Sequence, residues 1–296
     1  SQRLLDLTQY DIEKKLINTI KSLLDKNSNI NLNLLSEILY IPTFSDLESD
    51  TNNIDPLKLN KISEDLYYKF GNELKITLNQ KLKEIENNIF QKWPSGKDER
   101  KLIEIIWKLL LYTDDNDHLK ISLIDYIENK NMTLSKSVLN VFLQFNCKER
   151  ELASNKFFNK WKNNNIVLDN WFYFAASVEA NHFNKNIDNL FNHEYFDPKS
   201  PNTLRSILNG YVTNNPSFHH KEGKGYMYIA KKVVEFDKLN PIVISRFIKI
   251  FSRWDKYVDP YKSNMLKAIK YIDSNDLSIN SREVIDLILN KNKSCL

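Results

Sequence analysis

Apolar residues recur every three or four positions through almost the whole chain, and that period restricts the fold class more than any other feature. The clearest run is Ile62, Leu66, Phe70, Leu74, Leu78, Leu82, Ile85 and Ile89. At 3.6 residues per turn these side chains form one stripe, the mark of a long amphipathic helix. Asp55-Pro56 offers a cap followed by proline at the first helical position, and Pro94-Ser95-Gly96 ends the segment. Within it, Lys81-Leu82-Lys83-Glu84-Ile85-Glu86 reads as a solvated helix face. Ile244, Phe247, Ile248 and Phe251 repeat the i, i+3, i+4, i+7 pattern. So do Val284, Leu287 and Ile288, behind a candidate cap at Ser281.

Shorter helices are expected near 9–26, 31–40, 98–112, 117–129, 133–145, 148–163, 167–178, 183–191, 201–213, 225–238 and 261–273, joined by about 2–6 residues as in sequentially packed helix pairs. Residues 42–53 are polar and aperiodic and read as the longest loop. Only 5 Gly and 8 Pro occur in 296 residues. Hairpin turns are therefore too scarce for a sandwich or barrel. The fold class is all-α, an irregular α-solenoid of stacked helix pairs without a clean repeat period. The length fits one extended helical domain or two small ones.

Several function classes drop out. No run approaches the roughly 18 apolar residues of a membrane span. Residues 1–10 lack the charged start and apolar block of a signal peptide, and the start at Ser1-Gln2-Arg3, without Met, suggests a trimmed fragment or a cleaved tag. Cys147 and Cys295 are too few and too distant for a disulfide framework, which favours a reducing compartment. Cys147 is expected to be a small buried apolar residue. The 42 basic and 38 acidic residues are interleaved, whereas a nucleic-acid binder gathers its basic residues into a stripe. Neither a nucleic acid nor a membrane is an expected partner, and Asn163-Asn164-Asn165 reads as a loop.

The search for catalytic chemistry finds no complete set. The nearest text to a His-Glu-x-x-His zinc motif is His193-Glu194-Tyr195-Phe196-Asp197, where Asp replaces the second His and Pro198 follows at once; a polar turn between helices fits better. His219-His220 are adjacent, so their side chains diverge on a helix or a strand, and a loop or helix end is expected. His118 and His182 lack neighbours at ligand spacing. There is no Gly-x-Ser-x-Gly elbow and no phosphate loop. Gly223 and Gly225 stand out because Gly is scarce; they suit a tight turn, or an anion cradle at the start of the helix near Tyr226. No catalytic residue, metal ligand or cofactor is therefore assigned to this chain.

One ordered set of motifs resembles a known family. Pro201-Asn202-Thr203-Leu204-Arg205-Ser206 is followed by Phe218-His219, Gly223-Lys224-Gly225-Tyr226, Asn240-Pro241 and Val243-Ile244-Ser245-Arg246. Upstream lie Ile41-Pro42, Ile54-Asp55-Pro56, Asn131-Met132-Thr133, Lys160-Trp161 and Asp169-Asn170-Trp171-Phe172. This series resembles the C-terminal helical domain of the aminopeptidase N family of zinc metallopeptidases, of the bacterial and apicomplexan alanyl aminopeptidase type. The likeness is strong over 131–273 and thinner before residue 100.

The resemblance implies that residues 1–296 form a single C-terminal domain, a bowl that caps the active-site chamber of a larger enzyme. The zinc and its ligands would belong to an upstream catalytic domain, the expected partner, and short peptides would be the substrates. The isolated chain would be inactive and, with an inner wall exposed, prone to self-association. An intracellular location follows, cytoplasmic or vacuolar. By position, Arg205 and Arg246 match arginines that project toward the downstream side of the substrate, where a guanidinium fork can bind a carboxylate or peptide carbonyls. Ile242 stands where bacterial relatives often carry Gln, bordering the pocket for the N-terminal side chain, and favours apolar side chains there. Glu222-Gly223-Lys224-Gly225 departs from a more typical Asp-Gly-Ser-Gly but keeps both glycines. The alternative is a helical-repeat interaction scaffold with no enzymatic role.

Overall fold

The structure, a computed structural model, describes residues 14–25, 28–92, 94–128, 131–143, 145, 147–177, 185–213 and 215–290. The predicted starts at 9 and 183, together with His182 and Cys295, lie outside the described residues. Among the described residues the secondary structure is helical, and the one β pairing is an isolated parallel bridge between Ile54 and Tyr257. The all-α expectation holds. The chain divides into two compact units, one of Ser1–Asp50 with Lys58–Lys160 and one of Thr51–Leu57 with Trp161–Leu296.

The first unit contains α1 (Lys14–Leu24), α2 (Leu32–Ile38), α3 (Phe44–Ser49), most of α4 (Pro56–Ile85), α5 (Lys97–Leu111), α6 (Asp117–Glu128), α7 (Met132–Phe142) and most of α8 (Lys148–Trp161). The helix α4 begins at the proline that marks it in the sequence. Its buried stripe is Ile62, Leu66, Leu74, Leu78 and Ile85, continued by Ile89 beyond a 3₁₀ turn. Lys81 is not on a solvated face but 3% exposed, with Nζ donating to Glu84 at 2.9 Å. Stepping 74, 78, 81, 85 follows the 3.6 period more closely than stepping through 82, so the lysine takes the inward position and Leu82 lies half-buried. Helix α5 packs on α2 and α7 through the wholly buried Leu102, Ile103 and Ile106, with Trp107 at 1% exposure.

The loop expected over 42–53 is also corrected, because α3 lies within it. Thr43 caps this helix by accepting from Asp46 N, while Asp46 Oδ2 accepts from Thr43 N at 2.8 Å. This reciprocal capping box satisfies two backbone donors that a short helix would otherwise leave open. Six residues are too few to establish an apolar period, so only the Thr-x-x-Asp spacing announced it.

In the second unit are α9 (Asn165–Ser177), α10 (Lys185–Phe191), α11 (Pro201–Thr213), α12 (Asn215–Phe218), α13 (Lys224–Asp237), α14 (Pro241–Ile248), α15 (Tyr261–Asp273) and α16 (Ile279–Asn290). Helices pack as α9 on α11, α13 on α15 and α14 on α16. The α9–α11 approach depends on Gly210, where an added Cβ would stand 2.2 Å from Tyr173 O. Residues 51–57 belong to this unit because Ile54 N donates to Lys256 O at 2.8 Å and Ile54 O accepts from Val258 N at 3.0 Å, with Ile54 fully buried. The cap of α16 is Ser278 rather than Ser281. Ser278 O accepts from Arg282 N at 2.9 Å, whereas Ser281 is buried inside the first turn with its hydroxyl donating to Asp237.

Candidate functional site

The resemblance implies three site residues, Arg205, Ile242 and Arg246, and all three lie in the second unit. Proline at the first turn of α14 starts that helix, and Val243, Ile244, Phe247 and Ile248 bury one face of it. Ile242 and Arg246, four residues apart, fall together on the opposite, exposed side, and Ile242 is 59% exposed. Arg246 makes no ion pair or hydrogen bond among the described residues, so its guanidinium is available to a ligand. Arg205 is exposed on α11, a helix that packs against α14. Its Nη1 donates to Asn202 Oδ1 at 3.4 Å. Arg205 also lies near Asp169. Burial raises the Asp169 carboxyl above the usual range, opposed by a hydrogen bond from Thr203 Oγ1 at 2.8 Å and by the charge of Arg205.

The motif around the two glycines is a packing knot. Gly223 opens α13 at φ 72 with no side-chain cap, and its N–H closes a turn onto His220 O at 2.7 Å. Gly225 admits the chain so closely that a Cβ would meet Phe218 O at 2.2 Å and Ser217 O at 2.5 Å. Beside them His219 Nδ1 and Tyr226 Oη share a hydrogen bond of 2.7 Å, and the His219 ring stacks on Tyr257 at 5.5 Å. Burial drives the His219 imidazole down to about 3, so it is neutral. The tight-turn reading of the glycines stands, and His219 sits at the end of α12, as expected of a helix-end histidine.

The remaining histidines also occupy separate places. His193 lies in the turn after α10, its ring 5.2 Å from that of Trp171 and 5.7 Å from that of Phe172; the polar-turn reading fits. His118 is exposed in the first turn of α6. Among the described residues no three His, Cys, Asp or Glu side chains gather to hold a metal ion. Cys147 is half-buried rather than fully buried, and burial raises its thiol above the ordinary value.

A cavity of 740 Å³ was not anticipated from the sequence. Phe191, Phe196 and Phe236 line it together with Lys232, whose Nζ lies 4.6 Å from the Phe191 ring centroid and pairs with Glu235 at 3.0 Å and Asp188 at 3.6 Å. The Lys232/Glu235 spacing was visible as an i, i+3 pair. Asp188 comes from α10, 44 positions away, and no local pattern could supply it. Its own cation fills this aromatic niche, so the arrangement braces α10 against α13.

A family model described as a domain of unknown function, DUF3458_C, with ARM repeats matches residues 2–290. Aminopeptidase N of Escherichia coli (strain K12) is 26% identical over 246 residues, which are 81% of this chain and 28% of that protein. The chain belongs to the C-terminal domain of the aminopeptidase N family. Aminopeptidase N of Haemophilus influenzae is 23% identical over 240 residues, 81% of this chain and 27% of that protein. The crystal structure of Legionella pneumophila aminopeptidase A in complex with aspartic acid superposes with a TM-score of 0.85 and 26% identity, covering 98% of this chain and 36% of that one. The chain thus spans little more than a quarter of the length of these two sequence relatives. The ARM repeats agree with the solenoid-like fold expected from stacked helix pairs. Among the described residues no helix is long and apolar enough to cross a membrane.

Proposed function

We propose that residues 1–296 act as the C-terminal domain of a zinc metalloaminopeptidase, an intracellular enzyme, cytoplasmic or vacuolar, that removes N-terminal amino acids from peptides. The observation that carries this reading is the match to aminopeptidase N over 81% of the chain. In this scheme zinc, held by a catalytic domain elsewhere in the longer polypeptide, supplies the hydrolytic chemistry. This chain caps the active-site chamber and helps position the peptide. Arg246, exposed and unpaired, offers a fixed positive charge and a planar fork to the downstream carboxylate or carbonyls. Arg205 does the same from α11. Ile242, one turn before Arg246, presents an apolar surface to the N-terminal side chain.

The test compares the isolated chain with the longer polypeptide that contains it, using aminoacyl chromogenic amides with and without EDTA. The longer polypeptide should hydrolyse them in an EDTA-sensitive way, and the isolated chain should show neither turnover nor stoichiometric zinc. EDTA-sensitive turnover by a contaminant-free sample of the chain alone would overturn the division of labour.

A further inference from the structure

The exposed side of α14 is one residue wide. Val243, Ile244, Ser245, Phe247 and Ile248 are all buried, so within 242–249 only Ile242, Arg246 and Lys249 are exposed. Lys249 opens the 3₁₀ turn that follows α14 and keeps right-handed helical dihedrals, φ -59 and ψ -14. Seven positions make almost two turns, so Lys249 shares a side with Ile242 and Arg246. The stripe is apolar at its start and cationic at its end.

Neither cation has a counter-ion. The Arg246 and Lys249 side chains make no ion pair or hydrogen bond among the described residues. From Lys238 to Trp254 the chain holds no Asp or Glu, and Asp255 pairs with Lys256 at 3.9 Å. The helices packed on α14 do not supply one either. Helix α11 brings Arg205 and no carboxylate. On α13, Glu235 is held by Lys232 and Asp237 by Ser278 and Ser281. On α16, Glu283 and Asp286 are exposed and pair with neither cation.

The spacing sets a register. At a rise of 1.5 Å per residue, Arg246 stands about 6 Å and Lys249 about 10 Å along the helix from Ile242. An extended peptide advances about 3.4 Å per residue, and its terminal carboxylate oxygens reach about 2 Å past the last Cα. With the N-terminal side chain against Ile242, the carboxylate of a dipeptide falls at about 6 Å and that of a tripeptide at about 9 Å. Those are the levels of Arg246 and Lys249.

We propose that Lys249 is a specificity-determining residue for tripeptides, its ammonium taking their C-terminal carboxylate one step beyond the Arg246 contact. The proposal rests on the aminopeptidase reading and on the place that reading gives Ile242. A compact ammonium on a flexible stem suits a terminus whose exact position varies. A cation in the last turn also favours the carbonyl end of its own helix, but that benefit is the same whatever the substrate.

The test measures kcat/KM of the longer polypeptide for trialanine, trialanine amide and dialanine. Trialanine should be preferred to its amide. Lys249→Ala should lower the trialanine-to-amide ratio about fivefold or more, and the trialanine-to-dialanine ratio with it. Lys249→Arg should keep the preference, and Lys249→Glu should reverse it. Equal losses for trialanine and its amide would assign Lys249 to the helix end alone and overturn the proposal. So would a wild-type enzyme that does not distinguish trialanine from its amide. In both cases turnover of aminoacyl chromogenic amides leaves the aminopeptidase reading standing. Absence of that turnover overturns the reading itself, and this proposal with it.

Discussion

Removing the carboxylate of Asp237 should free the start of the last helix. Asp237 ends α13, is 0% exposed, and accepts three hydrogen bonds from the beginning of α16: from Ser278 N, from Ser278 Oγ at 2.8 Å, and from Ser281 Oγ. Hydrogen bonds to a charged group contribute about 1.5–3 kcal/mol each. Three independent bonds would give more than any one of them loses, but the two hydroxyls can turn back to carbonyls of their own helix. The Asp237→Ala change should therefore cost about 3–5 kcal/mol. Asp237→Asn should cost less, about 2 kcal/mol, because one oxygen still accepts while the amide opposes the Ser278 N–H donor to donor. The readout is amide hydrogen exchange over 279–290, joined to urea unfolding followed by tryptophan fluorescence. In a cycle with Ser281→Ala, the coupling energy should be about 1–2 kcal/mol. Unchanged protection of α16 in Asp237→Ala, or an additive cycle, would refute the anchoring argument.

Acid should destabilise the second unit through His219. Its folded value, near 3, lies below the unfolded value near 6.5, so between these pH values the unfolded chain binds a proton that the folded chain does not. The stability it contributes is thus complete above about pH 6.5 and falls as pH drops, by at most about 1.4 kcal/mol per unit. His219→Gln should flatten that slope in urea midpoints measured from pH 7 to 4, and an unaltered slope would count against it. Under the proposed function, Arg246→Ala in the longer polypeptide should raise KM for peptides more than for chromogenic amides, which lack a downstream carboxylate. Equal effects on both substrates would remove Arg246 from the downstream site.

Periodicity reveals most of these helices because burial on one stripe is what holds them. Helix α4 starts at its proline, and α11 and α15 fall on the expected bounds, Pro201–Thr213 and Tyr261–Asp273. The misses have local causes. The six residues of α3 are stabilised by a capping box rather than by a stripe. Lys81 is buried because the helical period places it inward, and its aliphatic stem fills a position that a hydropathy reading reserves for Leu82. Ser281 looked like a cap because it precedes an apolar run. The true cap, Ser278, is set by a carboxylate 41 positions upstream, which no local window contains.

The candidate site was legible in a different way. Nothing in the periodicity distinguishes Arg246 from any other exposed basic residue on a helix. Its position is implied by the resemblance alone. On α14 the residue one turn before Arg246 is Ile242, 59% exposed, where a carboxylate would have quenched the charge. An unpaired cation beside an exposed isoleucine gains nothing for the folding of the second unit itself. Under the proposed function this surface meets the apolar side chain and the carboxylate or carbonyls of a peptide. On that proposal, Ile242→Glu in the longer polypeptide should impair peptide turnover more than Ile242→Ala, because it would both pair with Arg246 and place a charge beside the substrate side chain; equal losses would remove Ile242 from the substrate pocket.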